Sequence, residues 1–176
     1  ERSTVRAIDP HLHLDRMKGK DAETLSIAGV EGGILPTPHL LPWLVSADTL
    51  KRMWRNFLDF EVDKGASLGI AIKVALGVPF YGVDSESVQE CLRDLPEYLG
   101  HPNCIAMGEI GMDAGIPDEE KLFRTQLNIA KEHNLPIICH TPTPMEPQAV
   151  DVLRQIIRVI EDEKFPMDRV IFDHTG

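Results

Sequence analysis

Gly69-Ile70-Ala71-Ile72-Lys73-Val74-Ala75-Leu76-Gly77-Val78 is apolar at almost every position rather than at every second one. A strand of that kind cannot leave one face in water; both faces must be covered by helices, as they are in the parallel sheets of α/β proteins. Pro136-Ile137-Ile138-Cys139 has the same character. Working outward from these two, short apolar runs predict strands at 5–9, 33–36, 69–78, 104–111, 136–140 and 170–174. Helical patterns fall between them. Leu50, Met53, Trp54, Phe57 and Leu58 recur at i, i+3, i+4, i+7 and i+8, with Gly65 as a C-terminal stop. Ser85 caps a helix whose apolar face is Val88, Leu92, Leu95 and Leu99. Asp118 opens another, carrying Leu122, Gln126, Leu127 and Ala130 before the Asn134-Leu135-Pro136 break. The last helix aligns Val150, Leu153, Ile156, Ile157 and Ile160.

Strands alternating with helices from end to end read as repeated βαβ units, hence a parallel α/β sheet. No GxGxxG follows a strand and no GxxxxGK[ST] occurs, which removes the main support for dinucleotide and nucleotide-phosphate folds. A complete (β/α)₈ barrel takes ~250 residues and at least ~200. With 176 residues, the expectation is a TIM-type (β/α) barrel of about six βα units, incomplete and lacking its C-terminal strands, in one domain spanning 1–176. The opening Glu1-Arg2-Ser3-Thr4 has neither an initiator Met nor a signal-peptide core, as expected of a trimmed end.

The net charge is −10, from 18 Lys plus Arg against 28 acids, and no basic cluster interrupts the chain. A protein that tracks a nucleic-acid backbone needs a basic stripe, so nucleic acid is a disfavoured partner unless bound cations supply local charge. No apolar run approaches the ~18 residues of a membrane-spanning helix. Cys91, Cys104 and Cys139 are odd in number and lack CxxC spacing, which fits free buried thiols in a reducing, cytoplasmic compartment.

Asp9-Pro10-His11-Leu12-His13 is the first chemical signal. Alternate side chains of a strand share a face, so His11 and His13 point together and form a ready pair of ligands for zinc or a similar divalent ion. Asp9, on the same face, could orient a ligand histidine. Two histidines near a chain end can also be fortuitous. Further strands end in residues of the same type: Glu109 in Met107-Gly108-Glu109-Ile110-Gly111-Met112-Asp113, His140 before Thr141-Pro142, and His174 in Phe172-Asp173-His174. A carboxylate inside an apolar strand is costly unless a cation or donor meets it, and Gly108 and Gly111 would permit close backbone approach. In a parallel barrel the C-terminal strand ends converge on one mouth, where the active site lies. Alternation turns Cys139 away from the face of His140, and Asp173 away from that of His174. His101 and His133 fall at helix C-termini and suit the helix dipole there. His39, in Pro36-Thr37-Pro38-His39, shares the rim; it is either a substrate contact or a solvated loop residue. Trp43, Phe80 and Tyr81 lie in rim loops as well.

In order along nearly the whole chain, these residues resemble the TatD-like branch of the metal-dependent amidohydrolase superfamily. Asp9 to His13 resembles the opening HxH. Gly108-Glu109-Ile110-Gly111-Met112-Asp113 is similar to the GEIGLD segment, the most specific part of the match, and Phe123 to Ile137 is similar to the helix and strand that follow it. The resemblance implies a TIM-like barrel and hydrolysis by a metal-activated water. His11 and His13 would hold one divalent ion, His140 and His174 a second, and Glu109 would bridge them as the catalytic carboxylate. Lys73 is on the third strand, so the glutamate, not a carboxylated lysine, is expected to bridge. One or two ions are expected, zinc first, with manganese, nickel or iron also compatible with imidazole ligands. His39 and Asp113 are candidate substrate contacts.

Thr141-Pro142 stands where DNase-type members usually carry Ser-Arg, which removes a phosphate contact. No residue matches the aspartate general base expected on the eighth strand. The leading expectation is therefore a metal-dependent hydrolase acting on a small-molecule amide or ester. A TatD-type deoxyribonuclease and a catalytically incomplete metal-binding fragment are the alternatives; an incomplete barrel would expose the edge of its sixth strand and form a homo-oligomer.

Overall fold

The structure, a computed structural model, describes residues 6–174. A six-stranded parallel sheet runs in the order β1 (Ala7–Asp9), β2 (Val30–Pro36), β4 (Ala71–Leu76), β6 (Cys104–Gly111), β7 (Ile137–His140) and β8 (Val170–Phe172). Every neighbouring pair is parallel, so all six C-terminal ends open on the same side. The strands curl into part of a barrel whose two edges are β1 and β8. All six lie where the sequence predicts strands, although Val5 falls outside the described residues.

Strand alternation sorts the core into two layers. Leu35, Val74, Leu76, Met107, Ile137 and Cys139 join the large cluster beneath the helices. Their neighbours in sequence, Ala75, Ala106 and Ile138 with Ile34, form a separate small cluster on the other face. The period of two makes Cys139 a residue of the helix-facing layer, as expected, and sends His140 to the concave face with Ile138. Trp54, Phe57 and Phe123 are the largest fully buried side chains of the helical layer. Truncating any one of them to alanine costs roughly 3–5 kcal/mol.

The helices are α1 (Gly19–Ala28), α2 (Ala47–Asn56), α3 (Val62–Ser67), α4 (Ser85–Leu99), α5 (Pro117–Glu132) and α6 (Ala149–Asp162). Between α2 and α3 the chain stays helical through one wider turn, Phe57–Glu61. Ser46 caps α2 by accepting from the Thr49 amide at 3.3 Å. Asp84, one residue before the predicted cap, starts α4 by accepting from the Ser87 amide at 2.9 Å.

Two strands and one helix are not expected from the sequence. β3 (Leu40–Val45) and β5 (Tyr81–Val83) pair in parallel as a two-stranded sheet. They follow the C-terminal ends of β2 and β4, so they build up the rim of the open mouth. Trp43 and Tyr81, expected in loops, belong to these rim strands. Helix α1 also escaped the sequence patterns.

Candidate metal centre

Three side chains from two distant parts of the chain meet first. Glu109 Oε1 lies 2.9 Å from His11 Nε2 and 3.1 Å from His13 Nε2, and the two Nε2 atoms are 3.1 Å apart. The backbone explains the convergence. His11 and His13 leave β1 on one side of the chain, held by the Leu12 amide donating to Ile34 O at 2.8 Å and by the His11 amide donating to Asp9 Oδ1 at 2.9 Å. Asp9 therefore fixes the backbone of His11 rather than a histidine ring.

Glu109 is placed by Thr37, which is fully buried. The Thr37 carbonyl accepts from the Glu109 amide at 2.7 Å, and the Thr37 amide donates to Ala75 O and Gly108 O. One residue thus ties the ends of β2, β4 and β6 together. Gly111 does the corresponding work between β6 and β7: a Cβ there would sit 2.1 Å from His140 O. Only glycine allows His140 this close to Glu109.

His140 Nδ1 lies 3.4 Å from Glu109 Oε2 and 3.8 Å from Asp173 Oδ2, while its Nε2 lies 3.2 Å from Asp113 Oδ1. Asp113, expected as a substrate contact, thus reaches a ring nitrogen of His140 and is absent from the cavity wall. His174 Nε2 comes to 3.6 Å from Asp173 Oδ2, and the His140 and His174 rings are 5.3 Å apart.

The expected orientation of Asp173 is overturned. Its Oδ2 sits among His11 Nδ1 at 3.4 Å, His140 and His174, and the residue is buried. Strand geometry ends at Phe172, whose ring packs on the helical layer, and His174 has a positive φ of 51°. Alternation therefore puts Asp173 on the concave face, and the chain turns so that His174 reaches the same place. Thr141 holds the carboxylate: its amide donates to Asp173 Oδ1 at 2.9 Å and its hydroxyl to the Asp173 carbonyl.

His39 is buried, not solvated. Its amide donates to Glu109 Oε2 at 3.3 Å, and its ring stacks on His140 with centroids 4.2 Å apart. Burial, together with the neighbouring His140, lowers its pKa to about 3, so the ring is neutral. Neither ring nitrogen has a partner.

A loop support missed by the sequence reading lies behind Asp113. Glu119 is fully buried, and its carboxylate accepts from the amides of Asp113, Ala114, Gly115 and Ile116 at 2.7–3.3 Å. It fixes the turn that presents Asp113 to His140. The only hint in the sequence is a glutamate in the first turn after Pro117, a pattern shared with many ordinary helix starts.

The donor set fits divalent cations. His11, His13 and Glu109 form one group, and His140, Asp173 and His174 another, with donor atoms in each lying within 4.8 Å of one another. His13 Nδ1, His140 Nδ1 and Asp173 Oδ2 are buried without hydrogen-bond partners. Burial disfavours charge on the histidines, yet Asp15 and Glu109 lift His13 to about 9, and Asp173 and Glu109 lift His140 to about 10. Glu109, despite burial, is held far below the usual carboxylate range by His11, His13 and His140. The centre is built to keep anionic oxygen next to positive charge. Above it opens a cavity of about 610 Å³, lined by His11, His13, His39, Glu109, His140, Asp173 and His174 and walled by Arg16, Leu40, Ile171 and Phe172.

The chain is similar to several known proteins. A metal-dependent hydrolase of Methanocaldococcus jannaschii, itself described as uncharacterized, is 32% identical over 169 residues, 96% of this chain and 65% of the relative's length. The crystal structure of a TatD-like protein from Archaeoglobus fulgidus matches with a TM-score of 0.83 at 23% identity, covering 97% of this chain and 69% of that one. A TatD homologue from Escherichia coli K12 matches with a TM-score of 0.54 at 22% identity, covering 86% and 55%. These two structures share the barrel-type fold. The family model for TatD related DNase matches residues 8–175, which includes every histidine and carboxylate of the centre, and the chain belongs to the TatD family.

Proposed function

We propose that this chain carries the metal centre of a hydrolase that cleaves a small-molecule amide or ester. His11, His13 and Glu109 would hold one divalent ion, and His140, Asp173 and His174 a second, with Glu109 Oε2 turned toward the second group. Zinc is the proposed metal, because imidazole supplies most of the ligands. A divalent cation so placed supplies Lewis acidity and lowers the pKa of water from 15.7 toward ~7.

The protein's own groups do the rest. Glu109 stays anionic and serves as a fixed acceptor between the two groups. Asp113 accepts from His140 Nε2, which leaves Nδ1 of that ring directed at Glu109 and Asp173. Asp173 Oδ2 lies 3.4 Å from His11 Nδ1, while Nε2 of that ring is directed at Glu109. Neutral His39 offers one donor and one acceptor to a substrate without adding charge.

The observation that carries the small-molecule reading is the cavity. At about 610 Å³ it falls within the ~300–1,000 Å³ range of small-ligand sites. Thr141, in the position that resembles the family's Ser-Arg, is used internally to hold Asp173. The net charge of −10 also opposes a polyanionic substrate. Three buried free cysteines suit a reducing, cytoplasmic setting.

The test is a turnover panel on the zinc- or manganese-loaded protein: 4-nitrophenyl esters, anilides, bis(4-nitrophenyl) phosphate and DNA, each at two salt concentrations. Ester or amide turnover that is lost on chelation and nearly independent of salt is expected. DNA cleavage that falls steeply with salt would replace this reading with the nuclease one.

A further inference from the structure

We propose that Arg16 is the anion-recognising residue of this cavity, and that the substrate carries a carboxylate or phosphate apart from its reacting group. This rests on the small-molecule hydrolase reading above. Arg16 closes the short helical turn Leu14–Arg16 immediately after His13, its amide donating to His13 O at 3.2 Å. Leu14, fully buried, anchors that turn, while Arg16 is exposed and lines the cavity. Among the described residues that line it, Arg16 is the one arginine or lysine.

No nearby carboxylate of the centre engages the guanidinium. Asp15 faces His13, Glu109 faces His11, His13 and His140, and Asp173 faces His11, His140 and His174. The charge of Arg16 therefore remains available within the cavity to an anion that enters. The guanidinium presents paired N–H donors that match the oxygens of a carboxylate or phosphate. Leu40, Ile171 and Phe172 supply apolar wall to the same cavity. The matching ligand has an anionic head for Arg16, an apolar stem, and a reacting group at the metals.

The experiment is calorimetric binding to the zinc-loaded protein of glutarate, 3-phosphonopropionate and pentanoate, the last of the same length but lacking the second charge and any hydrolysable bond. Wild type should prefer the first two over pentanoate by about tenfold, as expected for a charge-assisted contact at an accessible site. Arg16→Gln should abolish that preference, and Arg16→Lys should retain part of it. Which dianion binds tighter decides between carboxylate and phosphate. Equal binding of all three, a preference that survives in Arg16→Gln, or no binding at all would overturn the assignment. A preserved preference with no ester or amide turnover would sink the hydrolase reading and leave the anion site standing.

Discussion

His39 lies flat on His140, with ring planes 13° from parallel and centroids 4.2 Å apart. The contact joins the residue just before β3 to the last residue of β7, across the floor of the cavity. Both nitrogens of His39 are buried without a partner, a cost that a bound ligand would relieve and an apolar ring would avoid. His39→Phe should therefore keep the stack and the metal content, and unfold at the same or a higher temperature. Ester turnover should drop at least tenfold if the ring contacts substrate. Thermal melts and metal analysis of one preparation check both halves.

Gly111→Ala should be among the most damaging single-atom additions in the chain. The new Cβ would meet His140 O at 2.1 Å, a backbone atom that cannot swing aside. An overpacking cost of roughly 1–3 kcal/mol is expected, with loss of metal at the His140 group as β7 shifts. Urea unfolding and metal content report the two effects separately.

Glu119→Gln replaces a fully buried carboxylate that accepts from four successive amides. An amide side chain has one acceptor oxygen instead of two, so buried donors lose their partners. A loss of roughly 2–4 kcal/mol is expected, read as a lower urea midpoint. Loosening Asp113 should also weaken the metal held beside His140 more than the one beside His11.

Asp84 gives a pH-dependent prediction. Ser87 donates to its carboxylate from both amide and hydroxyl and holds its pKa below the usual value. A depressed folded-state pKa means that the contribution is fully present above the ordinary carboxylate range and is lost as pH falls from there through the depressed value. Asp84→Ala should lower the melting temperature at pH 7, and the gap to wild type should narrow below pH ~4. A gap that stays constant down to pH ~2.5 would contradict the cap.

Much of the architecture is legible in the chain because buried parallel strands are apolar on both faces: residues 71–76 and 137–140 announce themselves. β3 does not, since Leu40-Leu41-Pro42-Trp43-Leu44-Val45 contains a proline and lacks alternation, and β5 has only three residues. Helix α1 opens on Gly19 and buries little beyond Ala22 and Ser26, so its apolar face is too faint to see. In the centre, His11, His13, Glu109, His140 and His174 stand out as histidines and a carboxylate at strand ends. Asp173 is misassigned from sequence because alternation counted back from His174 fails: β8 ends at Phe172 and the chain turns at His174. Arg16, Thr37 and Glu119 depend on contacts between distant segments, which no local pattern encodes.

The most direct test of the centre is metal content per chain, by elemental analysis after reconstitution with zinc or manganese, in wild type and in His11→Ala/His13→Ala. Wild type should retain between one and two ions per chain, and the double variant should lose one while remaining folded. A wild type that retains no ion, or a variant that retains as much as wild type, would contradict the assignment of His11, His13 and Glu109 as a metal site.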